Sequence, residues 1–85
     1  MAHFAELNTD NVVLCVIVVA HEDILDPETG MESEVVAQAF LDCVPGLEGR
    51  IWKQCSYSGS FRGAYPGERW IYDPLNDVFL PPEEP

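Results

Sequence analysis

The sequence predicts an α+β fold, a single small domain in which one helix packs on one face of a mostly antiparallel sheet of about five strands. Three observations carry that expectation. One segment, EVVAQAFLDCV, is apolar at helical spacing and is stopped by Pro45 and Gly46. Several short segments rich in branched and aromatic residues are separated by turn residues. The resulting order is strand, strand, helix, strand, strand, strand. A chain of 85 residues, 47% hydrophobic and 22% charged, supports one modest core and has the composition of a folded protein. The domain is assigned to residues 1–80, and 81–85 is a solvated tail rich in proline and glutamate.

HFAELN and VVLCVIVVA read as a hairpin joined by the turn-rich NTDN. The second strand is apolar on both faces, with Val13, Cys15, Ile17 and Val19 on one and Val12, Leu14, Val16 and Val18 on the other. That places it centrally in the sheet, covered on both sides, or at a surface of association. HEDILDPETGMES, with Pro27 and Gly30, is a loop that turns back on itself. The helix starts at Glu32 or Ser33 and is expected to pack through Val35, Val36, Ala39, Phe40, Cys43 and Val44. RIWKQCSY alternates as a strand, with Ile51, Lys53, Cys55 and Tyr57 on one face and Trp52, Gln54 and Ser56 on the other. ERWIYD and DVFLP form a last pair around the turn DPLND.

The charge is unevenly placed. Residues 1–49 carry −10, 50–69 carry +3 and 70–85 carry −4, for a net −11. All four basic residues, Arg50, Lys53, Arg62 and Arg69, fall in the middle segment. So acidic a chain repels phosphate backbones, so no direct nucleic-acid binding is expected. The longest apolar run, Val12 to Ala20, is too short to span a bilayer and lacks the cationic lead of a signal peptide, so no membrane association and synthesis in the cytoplasm are expected. Three cysteines, Cys15, Cys43 and Cys55, in no paired spacing point to reduced thiols rather than disulfides or zinc.

No catalytic constellation is evident. His3 and His21 have no serine or cysteine at motif spacing, and the loop acids Asp23, Asp26, Glu28, Glu32 and Glu34 lack the EF-hand pattern. No enzyme activity, metal or cofactor is therefore expected. The distinctive stretch is SYSGSFRGAYPGERW, which combines glycines with Tyr57, Phe61, Arg62, Tyr65, Arg69 and Trp70. Aromatic residues and arginine dominate binding hot spots, which makes these six the candidate partner-binding residues. The competing reading folds the aromatics over the sheet and uses Arg62 or Arg69 to neutralise the chain's own acids; the two readings are compatible.

Two segments, MAHFAELNTDNVVLCVIVV and WKQCSYSGSFRGAYPGERWIYDPLNDVFLPP, carry a resemblance. They resemble short proteins of tailed bacteriophages, especially those of cyanobacteria, with a similar opening and the patterns WxQxSYNGxFRxxYAG and YTYDxxxDxFxxP. Trp52, Gln54, Ser56, Tyr57, Phe61, Arg62, Tyr65, Gly67, Tyr72, Asp73, Asp77, Phe79 and Pro81 fall on those patterns; Ser58 and Pro66 depart from them. The resemblance implies a phage origin and assigns no activity to particular residues. The expectation is a virion accessory protein, a capsid decoration or cement protein that binds the major capsid protein, or otherwise a tail or neck accessory, with self-association possible through the apolar strand. The alternative is an acidic host-directed protein that occupies a basic site on a host target.

Overall fold

Asn8 builds the first turn. Its Oδ1 accepts the N–H groups of Asp10 and Val12 at 2.8 and 3.0 Å, and Asn11 adopts a left-handed φ of 64°. This turn closes the hairpin between β1 (Ala2–Leu7) and β2 (Val13–Val19) in the computed structural model, which describes residues 1–82. After a single 3₁₀ turn at His21–Asp23, Ser33 caps α1 (Glu34–Asp42) by accepting the N–H of Val36. β3 (Ile51–Cys55) returns along β1, and β4 (Ile71–Asp73) and β5 (Val78–Leu80) form the last hairpin. One helix and five antiparallel strands thus make a small α+β fold, with the strands divided between two sheets, β2-β1-β3 and β4-β5. A bridge between Val12 and Ile71 links the sheets. Of the tail assigned to 81–85, residues 83–85 lie outside the described residues.

The central strand is β1, not β2 as the apolar run predicts. Ala2, Phe4, Ala5 and Leu7 are all buried, and the small side chains let both faces be covered closely. On one face Ala2 and Phe4 pack with Val19, Ile24, Ala37, Leu41 and Trp52; on the other Ala5 and Leu7 pack with Val13, Cys55, Tyr72 and Phe79. The acidic residue of β1, Glu6, is buried but accepts from Arg50 Nη1 at 3.0 Å and from Cys15 Sγ at 3.4 Å. β2 takes the edge, and a bulge where Glu6 pairs with Cys15 but Leu7 with Val13 shifts its alternation by one residue.

The helix also packs on a different face from the one its apolar spacing predicts. Ala37 and Leu41 are buried and Val44 packs against them, whereas Val35, Ala39, Phe40 and Cys43 are exposed. The reason is polar. Gln38 Oε1 accepts the Trp52 N–H at 3.1 Å and its Nε2 donates to the Arg50 carbonyl at 2.6 Å, while Glu34 Oε2 accepts the Gln54 N–H at 2.9 Å. The outer edge of β3, which would otherwise present unpaired backbone groups, is sealed by side chains of α1. Turning Val35 and Phe40 inward would break these bonds.

Gln38→Ala is expected to lower stability in urea unfolding by about 1 kcal/mol, because it removes the partners of the part-buried Trp52 N–H and of the exposed Arg50 carbonyl. Gln38→Glu, which keeps the acceptor and loses the donor, should fall between that variant and the parent chain.

Candidate functional site

The SYSGS segment folds on Ser56. Its buried hydroxyl lies 2.8 Å from Ser60 Oγ and 3.2 Å from Ser58 Oγ and accepts the Ser60 N–H at 3.0 Å, while its carbonyl accepts the Gly59 N–H at 3.0 Å. Gly59 has φ 73°, and a Cβ there would stand 3.0 Å from the Gly63 carbonyl oxygen, a backbone atom that cannot yield cheaply. So tight a turn pushes Tyr57 outward to 73% exposure, with Phe61 beyond it at 42%. Tyr57, Tyr65 and His3 form a cluster with ring centroids 5.2–5.5 Å apart. Phe61 stands between two shallow depressions, one lined by His3, Tyr57 and Ser58 and the other by His21, Met31 and Glu32.

Arg62 points the other way. Nη2 donates to Glu34 Oε1 at 2.7 Å, Nη1 to the Gln54 carbonyl at 2.8 Å and Nε to Asp77 Oδ1 at 2.8 Å, and the Tyr72 hydroxyl donates to that same Asp77 oxygen. The Arg62 carbonyl accepts the Phe79 N–H at 3.0 Å. One residue thereby joins α1, β3 and the β4–β5 hairpin. Arg62 and Asp77 both sit at left-handed φ, 55° and 54°, a backbone cost of the order of 1 kcal/mol each that their bonds offset. Of the two roles the sequence leaves open for Arg62, neutralising the chain's own acids is the one its guanidinium performs.

The remaining candidates divide. Tyr65 and Trp70 are half-buried and pack against the cluster of Tyr72 and Phe79. Arg69 is exposed, and among the described residues it forms no ion pair. Its N–H donates to the Val13 carbonyl at 2.8 Å, which sets it at the start of the β2 edge. The spacing of the chain gave no signal for Glu34 and Asp77 as partners of Arg62, since they lie 28 and 15 residues away. Gln54, Arg62, Tyr72, Asp77 and Phe79 meet at this junction.

The electrostatics follow from the contacts. Burial disfavours the charge on Glu34, but hydrogen bonds from Arg62 and the Gln54 N–H, with the Arg62 charge, hold its pKa below the ordinary 4.5. Glu32 is also held below 4.5, first by the hydrogen bond with His21, 2.7 Å away, and then by Gln54. Asp77 is held below 3.8 by its bonds to Tyr72 and Arg62. Burial pushes the Cys55 thiol up to about 11, so it is protonated at neutral pH and is no nucleophile there. Among the described residues no three His, Cys, Asp or Glu side chains are grouped to hold a metal ion, and no helix is long and apolar enough to cross a membrane.

Arg62→Ala is expected to destabilise the fold by about 3 kcal/mol in chemical denaturation, since it strands Glu34 and removes three hydrogen bonds at once. Arg62→Gly, which relieves the backbone, should recover about 1 kcal/mol of that loss. Because the folded carboxylates keep their charge to lower pH than unfolded ones, the unfolded chain binds more protons as the solution is acidified. The stability they contribute is present above about pH 4.5 and lost as pH falls through their depressed values, and Glu34→Gln should flatten the pH dependence of the unfolding midpoint in that range.

Comparison of the chain with protein-family models, with curated proteins and with solved structures found no match.

Proposed function

We propose that the chain is a non-catalytic accessory protein of a phage virion that docks on a repeating protein surface. The capsid shell, as a decoration or cement protein, is the first choice, and the tail or neck the second. The observation that supports docking is the contrast within one loop: Tyr57 and Phe61 are exposed, while the backbone that carries them is bonded through Ser56 and held from beneath by Arg62. Large apolar rings on a fixed loop bind with little loss of conformational freedom, the condition that favours a contact surface. On a symmetric shell, many identical contacts of modest strength add by avidity. The virion setting rests on the phage-like sequence pattern alone; the absence of direct nucleic-acid contact rests on the net charge of −11, and synthesis in the host cytoplasm on the short apolar run without a cationic lead. The rival reading, an acidic protein that occupies a basic host target, draws on Glu22, Asp23 and Glu28, all exposed in the loop before α1.

A protein inventory of purified particles, quantified against the major capsid protein, tests the proposal. Copies near the capsid number are expected for a decoration protein and a handful for a tail or neck protein; absence from particles overturns both. Tyr57→Ser with Phe61→Ser is expected to abolish binding to particles without moving the unfolding midpoint, and added salt to weaken binding little, whereas an acidic inhibitor would release its target steeply as salt rises.

A further inference from the structure

The two edges of the three-stranded sheet are finished differently. The β3 edge is sealed by Glu34, Gln38 and Arg62, whereas β2 has only β1 beside it from Leu14 to Val19 among the described residues. The outward bonds of Trp52 and Gln54 fix the alternation across the sheet: Ile51, Lys53 and Cys55 face β1, so His3, Ala5 and Leu7 face β3, and Ala2, Phe4 and Glu6 face β2. Their partners Val19, Ile17 and Cys15 are turned inward, which leaves the backbone N–H and C=O of Val16 and Val18 pointing off the edge. No Lys, Pro or acid guards this strand.

The open stretch has defined ends. At Val13 the slot beside β2 is already filled, because the Val13 N–H donates to the Trp70 carbonyl at 2.7 Å and its carbonyl accepts from Arg69. At the other end the strand stops at Val19, and the chain passes in extended form through Ala20 into the 3₁₀ turn His21–Asp23. The window from Leu14 to Ala20 is centred on Ile17.

We propose that this edge pairs, antiparallel and about a two-fold axis at Ile17, with the same edge of a second copy of the chain, joining the sheets as β3-β1-β2-β2-β1-β3. In this register Val16 of each copy lies opposite Val18 of the other and exchanges both backbone bonds with it, and Ile17 faces Ile17. Leu14 falls opposite Ala20, so the incoming strand turns away just before Arg69 and Trp70 would block it. Charge favours a second copy as occupant. Two chains of −11 repel over most of their surface, and residues 11–21 form the longest run without Asp, Glu, Lys or Arg. At each end of the pairing, exposed Arg69 meets the turn that carries exposed Glu22 and Asp23 of the second copy. The pairing stands apart from the virion proposal and holds or fails without it.

Sedimentation velocity of the purified chain over a range of concentrations tests it. A monomer–dimer equilibrium is expected. Val18→Lys, at a half-exposed site, should leave a folded monomer with the parent's unfolding midpoint. Arg69→Glu should weaken the dimer about tenfold, and combining it with Glu22→Lys and Asp23→Lys should restore it. In a chain with Cys15→Ser and Cys43→Ser, oxidation should link Ile17→Cys to itself and leave Val18→Cys unlinked, since only residue 17 lies opposite its own copy. A monomer at every concentration, a dimer indifferent to Val18→Lys, or a disulfide through position 18 rather than 17 would each overturn the proposal.

Discussion

Arg62 reaches Glu34 on α1, the carbonyl of Gln54 on β3 and Asp77 in the β4–β5 turn, and through it the two faces of the sheet become one structure. The core is split by the sheet into two clusters, each too small to stabilise a domain alone. α1 belongs to one cluster and the β4–β5 hairpin to the other, so a tie between them makes their formation cooperative. A planar fork suits that task, because three acceptors on three elements are met by donors in fixed directions; the single ammonium of a lysine could not span them. The left-handed backbone at both Arg62 and Asp77 marks how firmly the surroundings fix this geometry.

Committing the guanidinium inward changes what the loop offers outward. Tyr57 and Phe61 remain, carried on a turn closed by Ser56, and the surface they form is apolar rather than cationic. The sheet edges show the same division of labour. Side chains of α1 and Arg62 supply β3 with hydrogen-bond partners, while β2 relies on branched side chains and keeps its outer groups open. An edge left open in a chain that seals the opposite one invites a strand, and its freedom from charge decides which kind.

Local features were legible in the sequence because their causes are local. Asn8 and Asn11 in the first turn, Ser33 at the helix start, Pro45 and Gly46 beyond its end, and the two faces of β3 follow from residues within a few positions of one another. The place of β2 was not legible, since an apolar run on both faces describes a central strand and an edge that awaits a partner equally well. β1 can be the central strand because its acid, Glu6, is paired with Arg50, 44 residues away. The helix face was misread for a related reason: apolar spacing measures what water rejects, and Glu34 and Gln38 are held inward by backbone groups of β3 that no periodicity counts. Arg62 was recognisable as exceptional, but its partners were not.

Gln54, Arg62, Tyr72, Asp77 and Phe79 come from separate segments of the chain and are adjacent at one junction, so together they act as a folding constraint first. Tyr57 and Phe61 belong to the same stretch and are held by that junction without being needed to form it. A fold fixed in this way can keep its frame while the exposed rings are exchanged to suit the surface they meet. Joined through β2, two such frames would carry two copies of the loop at a fixed separation, and a repeating surface rewards that arrangement: once one loop has bound, the second is held at high effective concentration near the next site. For so small a domain, affinity is then gained through symmetry rather than through a larger interface.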